Sequence, residues 1–327
     1  MTAERRFVEI DVLKVAGIAT VILIHSVRSP LFDPLISPFE DWVGHVTRFG
    51  VPAFLFASGF LYAGDPRPSW RGTARRLRRI LVPYGIVSLA AQAWWAAQGI
   101  STETGNLWLD LAFGASLGPF YYVFVIAILV ALTPAIARLP GWALGGLTIL
   151  ALAAQGYVDV FGVKISMFWQ FRSPLLWWAY FLIGWQVRLH HAGVAARLER
   201  IRVPLSCGLA IAIVALSTAI AADPPLEWLR TAAWLNVYAS LGLLFVLGSG
   251  RIEAPPALRF VSDATYGVYL LHFFFVSGIQ PYFPPAPLRA ELMPIAVPWL
   301  AGALGPLVLI VALRSLLGDR SRDWIGA

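Results

Sequence analysis

The sequence predicts an all-α, polytopic membrane protein that crosses the bilayer about ten times with both termini cytoplasmic. Three observations carry that prediction: composition, aromatic content and the placement of basic residues. The chain is 58% apolar, and Lys, Arg, Asp and Glu make up only 13% of its 327 residues, about half the charged share of an ordinary soluble domain. So few charges cannot cover the surface of a water-soluble protein of this length. The 14 Trp, 20 Phe and 10 Tyr suit a chain with many ends at the membrane–water interface, where indole and phenol rings prefer to sit.

Crossing the hydrocarbon layer takes about 20 apolar residues. Runs of that kind predict spans at 11–29, 46–64, 80–98, 110–132, 141–158, 173–190, 203–221, 230–248, 262–280 and 297–316. Glycine and proline inside several of them are tolerated where neighbouring helices re-satisfy the backbone. With the N-terminus inside, 18 of the 25 Lys and Arg residues fall in cytoplasmic segments, six fall outside, and Lys14 lies within the first span. An excess of this kind sets orientation. The 18 acidic residues divide nine and nine, so the formal charge of +7 is an orientation signal and gives no reason to expect nucleic acid as a partner. Membrane lipids are the expected surroundings.

Cys207 is the single cysteine, which excludes an intrachain disulfide and a cysteine-based metal cluster. Asp11 and Lys14 interrupt the N-terminal apolar run and no clear cleavage site follows, so a retained helix is expected rather than a signal peptide. The longest connections, 29–45 and 281–298, are outer stretches rich in proline and aromatic residues. No repeat, glycine-rich phosphate loop or HExxH pair is present. One membrane domain over residues 1–327 is therefore expected, with no metal.

Polar groups inside the spans are the candidate chemistry, because charge in a bilayer is expensive and faces a bundle interior or a water-filled cavity. Lys14 and His25 are eleven residues apart, close to three helical turns, so they project from nearly the same face about 16 Å apart along the axis. Lys14 can snorkel to the inner interface beside Glu9 or Asp11, or receive an anionic group from the cytoplasm. His25, in an otherwise apolar stretch, can bond another helix or accept a proton from a hydroxyl as a general base. The run RPSWRGTARRLRR, residues 67–79, either anchors the chain on lipid phosphate or presents Arg71, Arg75, Arg78 and Arg79 to a phosphorylated ligand. His272 follows Ser262, Thr265, Tyr266 and Tyr269 within three turns, a polar stripe that serves as interhelical glue or as a site. Phe120-Tyr121-Tyr122 and Ser58-Gly59-Phe60 suit close packing or the lining of an acyl tunnel. Arg48 and Arg172, at outer span ends, meet headgroups or an anionic acceptor. The His190-His191 pair reads as interfacial.

These motifs, taken in order, resemble the acyltransferase-3 family of bacterial integral-membrane acyltransferases, which modify cell-envelope and other extracytoplasmic carbohydrates. The resemblance is carried by EIDVLKVAGIATVILIH at the start, GVPAFLFASGFL at 50–61, RRLRRILVPY at 75–84, GPFYYVFVIAIL at 118–129, FRSPLLWWAYFLIGW at 171–185 and SDATYGVYLLH at 262–272. Lys14 stands where arginine is commoner, which keeps the charge but loses the planar fork. Val51-Pro52-Ala53 stands where an acidic residue is frequent, and no esterase-like acyl-transfer step by an appended domain is expected.

The resemblance implies a membrane-bound O-acyltransferase of the bacterial inner membrane. Its donor is expected to be acetyl-CoA or another acyl-CoA, and its acceptor a carbohydrate or lipid-linked sugar. Arg71, Arg75, Arg76, Arg78 and Arg79 are expected to hold the donor's phosphates, with Lys14 placing its pantetheine end or carbonyl and His25 acting as base. Asp11, Arg48, Ser58, Tyr122, Arg172, Tyr266 and His272 are expected to support the site or face the acceptor. No serine or cysteine nucleophile is visibly paired with a base, so direct transfer is expected. A transporter of a small metabolite or lipid-linked sugar is the alternative; the inverted repeat that would favour it is not visible.

Overall fold

The computed structural model describes residues 6–27, 38–65, 68–222, 225–251, 253–283, 292–318 and 324. Among them every regular element is helical and none is a strand. The order is α1 (Val8–Ser26), α2 (Pro38–Val46), α3 (Gly50–Tyr62), α4 (Trp70–Ala97), α5 (Leu107–Phe113), α6 (Tyr121–Ile136) and α7 (Gly141–Phe161). There follow α8 (Met167–Arg172), α9 (Pro174–Leu189), α10 (His191–Ala221), α11 (Leu226–Gly248), α12 (Pro256–Ile279) and α13 (Leu292–Leu317). Much of the two proline-rich outer connections, 28–37 and 284–291, lies outside the described residues.

Each of the ten expected spans meets a helix, but among the described residues six helices are long and apolar enough to cross a membrane. They are α4, α6 with the turn before it (Gly118–Ile136), α7, α10, α11 and α13. The expectation of ten is corrected to six on this criterion, and the other four fall short for physical reasons. The 13 residues of α3 and 16 of α9 rise only about 20 Å and 24 Å. Glu9, Asp11 and Lys14 charge the first half of α1, and Ser262, Asp263, Thr265, Tyr266, Tyr269 and His272 dilute α12. The expected span at 110–132 is also broken. Gly114, at φ +66°, ends α5, and a Cβ there would lie 2.3 Å from the Phe120 carbonyl oxygen. Helix resumes only at Gly118.

The bundle sorts these helices by polarity. Only 11% of the apolar window of α10 and 17% of that of α7 is buried, against 61% for α6, and Ile149, Val203, Ile211 and Val308 stand exposed on α7, α10 and α13. Apolar side chains facing outward are what lipid requires. The short and polar helices pack inward: α1 lies against α3, α12, α11 and α13, and α3 lies against α9. Gly59 on α3 and Gly184 on α9 let those two backbones touch, in the way small residues do at membrane helix interfaces.

The arginine run and the third expected span form one helix. Ser69 starts α4 by accepting the Gly72 N–H at 3.0 Å, an N-cap that satisfies one orphan donor. Pro83 sits inside the helix.

Candidate functional site

Lys14 opens into a cavity of about 210 Å³ among the helices. Its walls come from α1, α3, α4, α6 and α12, and include Ser58, Tyr62, Ile80, Tyr122, Asp263, Thr265, Tyr266 and Tyr269. The Lys14 ammonium makes no hydrogen bond or ion pair among the described residues, and the acids whose charge reaches it are Asp11 and Asp263. Those acids are already occupied. Arg6 donates to Asp11 at 2.6 and 3.0 Å and to Asp263 at 3.0 Å, and Ser262 donates to Asp11 at 2.5 Å. Asp11 thus ties the start of α1 to α12 without neutralising Lys14, and the paired carboxylates raise the affinity of Arg6 for its own proton. A basic side chain without a partner inside a protein cavity is suited to an incoming anionic or carbonyl group.

An aromatic chain leads from this cavity to His25. Tyr269 packs on Tyr122 and Tyr266, with centroids 5.2 and 6.4 Å apart, and on His272 at 5.9 Å. His272 in turn lies 5.4 Å from His25, which also meets the edge of Phe273. Tyr269 is pinned by donating to the Pro119 carbonyl, and Tyr266 donates to that of Ile80 at 2.6 Å. His25 is half-buried, and Gln280 reaches its backbone carbonyl at 3.2 Å. His25 does not line the cavity. α12 is the element common to both places: Asp263, Tyr266 and Tyr269 line the cavity, and His272, one turn beyond Tyr269, lies against His25.

The five arginines of α4 divide. At about 100° per residue, Arg76 lies about 40° from Ile80, which lines the cavity, and Arg79 lies about 100° away. Arg71, Arg75 and Arg78 point about 140–180° away and are exposed. Arg76 covers the Tyr62 ring at 5.2 Å and pairs with Asp65 at 2.9 Å. Its Nη1 is buried without a partner, leaving a donor free beside the cavity.

Arg48 and Arg172, both expected at outer span ends, also differ from one another. Arg48 is exposed between α2 and α3. The side chain of Arg172 is 3% exposed, and all five of its N–H groups are used: two on Glu103, at 2.5 and 3.2 Å, and three on the carbonyls of Phe113, Phe168 and Gly114. Arg172 therefore clamps α8 to Glu103 and to the C-terminal end of α5. His191 bonds Glu9 at 2.7 Å, joining α10 to α1. A second cleft of about 290 Å³, between α4, α5 and α6, is walled largely by carbon and touches neither Lys14 nor a histidine. Among the described residues no group of three or more His, Cys, Asp or Glu is arranged to hold a metal.

Sequence reasoning therefore named Lys14, Ser58, Tyr122 and Tyr266, which share the cavity, and His25 and His272, which pack on each other. It did not name Arg6, Tyr62 or Asp263 for the site, and it placed Tyr269 only in the polar stripe. The signal for Asp263 and Tyr269 was their place in the polar stripe of α12, while nothing local marks Arg6, whose partner Asp263 is 257 residues away.

The fold and site define a polytopic helical membrane protein with ionisable groups gathered in its interior. The model of the acyltransferase-3 family, described as an acyltransferase domain, matches residues 7–315, and the chain belongs to that family. No curated protein and no solved structure matches it.

Proposed function

We propose that the protein transfers an acyl group, most simply acetyl from acetyl-CoA, to a hydroxyl of an extracytoplasmic or lipid-linked carbohydrate. It would do so as a single domain in the bacterial inner membrane with both termini cytoplasmic. The observation that carries the reading is the unpaired Lys14 ammonium in a cavity whose aromatic wall continues to His25. The dozen-bond pantetheine arm of a CoA donor is about as long as four to five extended residues, roughly 16 Å. Lys14 and His25 are about 16 Å apart along α1. Lys14 therefore holds the phosphate end of the arm, with Arg76 and Arg79 beside it, while the thioester reaches His25.

At that point His25 removes the proton of the acceptor hydroxyl as its oxygen attacks the thioester carbonyl. The C–O bond forms, the C–S bond breaks, and the CoA thiolate leaves with the proton that His25 returns. Tyr122, Tyr266 and Tyr269 line the arm's path and Ser58 offers it a hydroxyl. Arg48, exposed at the outer side, is the residue available to an anionic acceptor.

The test supplies radiolabelled acetyl-CoA to membranes containing wild type or His25→Ala and follows label into lipid and carbohydrate fractions. Transfer by wild type that is lost in the variant is expected. Transfer that survives the substitution removes His25 as base, and no transfer by wild type returns the reading to transport.

A further inference from the structure

His272 is fully buried, with its Nδ1 2.6 Å from the carbonyl oxygen of Tyr269 one turn earlier. A carbonyl oxygen can only accept, so Nδ1 carries the hydrogen. A neutral imidazole has one N–H, and Nε2 of His272 therefore holds a lone pair. That atom is buried and has no partner. A buried acceptor left unmet is costly unless something comes to meet it, and of the rings packed on His272 the nearest is that of His25, with centroids 5.4 Å apart.

The other ring against His25 is Phe273, which offers no acceptor. When His25 takes a proton from a hydroxyl it becomes an imidazolium with two N–H groups. One faces the reacting oxygen. The second needs an acceptor, a task that falls to a carboxylate in Ser-His-Asp triads. Two imidazoles joined by an N–H···N bond have centroids about 5 Å apart, so a ring rotation and a shift of a few tenths of an ångström would close the contact.

We infer that His272 is the positioning partner of His25: its Nε2 accepts the second N–H of the His25 imidazolium, fixing which nitrogen faces the substrate. The inference rests on the acyl-transfer reading above. No proton is added or lost beyond that reaction: the hydroxyl proton stays on His25, shared with His272, until the departing CoA thiolate takes it. The Nδ1–H bond to Tyr269 ties this lone pair to the same residue that walls the Lys14 cavity.

The discriminating variants are His272→Asn and His272→Gln. Asparagine keeps an amide N–H near Nδ1 for the Tyr269 carbonyl and lacks anything at Nε2; glutamine places an amide oxygen near Nε2. His272→Asn is expected to lower kcat about 100-fold, with KM for acetyl-CoA within about twofold and the melting temperature kept, and His272→Gln to recover about tenfold of that loss. Wild-type kcat in His272→Asn, or equal losses in both variants, overturns the inference. Solid-state 15N NMR of histidine-labelled wild type decides the matter even if the variants do not fold, because a hydrogen on Nε2 of His272 contradicts it. Absence of acetyl transfer in wild type is a separate failure, that of the proposed function.

Discussion

Gly59 and Gly184 meet across α3 and α9 in a reciprocal contact. A Cβ on Gly59 would lie 1.9 Å from the Phe181 carbonyl oxygen, and one on Gly184 would lie 2.0 Å from that of Phe56. In both cases the obstruction is backbone and cannot rotate away. Gly59→Ala is expected to destabilise the bundle by about 1–3 kcal/mol through overpacking, and Gly184→Ala by a similar amount. Thermal unfolding in detergent checks both, and an unchanged midpoint for either removes the close-approach argument.

Replacing Lys14 tests whether its free charge holds the donor. Lys14→Ala is expected to raise KM for acetyl-CoA about 10- to 100-fold, the range of a lost charge-assisted hydrogen bond. Lys14→Arg should retain most of the affinity, since the charge survives. Steady-state kinetics over a range of donor concentrations gives the answer, and a fall in kcat at constant KM would place Lys14 at the reacting carbonyl instead.

The division of the α4 arginines makes a graded prediction. Arg76→Gln removes the unpartnered Nη1 beside the cavity and is expected to raise donor KM about tenfold. Arg71→Gln and Arg75→Gln, on the far exposed face, should change it less than about threefold, as exposed charges do. Equal effects at all positions would mean that the donor's phosphates wrap the helix.

Arg172 is expected to be a structural clamp. Arg172→Lys keeps one charge but cannot reproduce five fixed donors, and leaves buried carbonyls at the C-terminal end of α5 unmet. A loss of about 1–3 kcal/mol in stability with an unchanged acceptor KM is expected. A raised acceptor KM at constant stability would restore Arg172 to the acceptor side.

His45, outside the spanning segments, gives a pH prediction. Burial, and then the nearby Arg48 charge, push its pKa down to about 4, against a smaller opposing pull from Asp41. In the unfolded chain it titrates near 6.5, so between those values the unfolded state binds more protons and acid favours unfolding. The contribution of His45 is full above about pH 6.5 and is lost as pH falls towards 4. His45→Gln should flatten that part of the stability–pH curve, measured by unfolding midpoints across the window.

Much of the helical scaffold was legible because a lipid-facing surface leaves a long apolar run in the sequence: α7, α10, α11 and α13 were each foreseen close to their observed cores. The short inner helices were over-read. Val46 and Thr47 continue the apolar run before α3 without being in it, and the turn at 47–49 is invisible to hydropathy. Lys14 and His25 stood out because ionisable residues are rare in such a setting. The Arg6–Asp263 bridge and the saturation of Arg172 by Glu103 depend on partners far away in the chain, and no local pattern encodes them.

The shortness of α3 and α9 has an electrical consequence. A bilayer core is about 30 Å thick, and these paired helices rise only about 20 Å and 24 Å, so lipid or water must make up the difference at their ends. Where water does so, a transmembrane voltage drops over a shorter distance at this pair than through the surrounding bilayer, and the local field is steeper beside α1, the helix that carries Lys14.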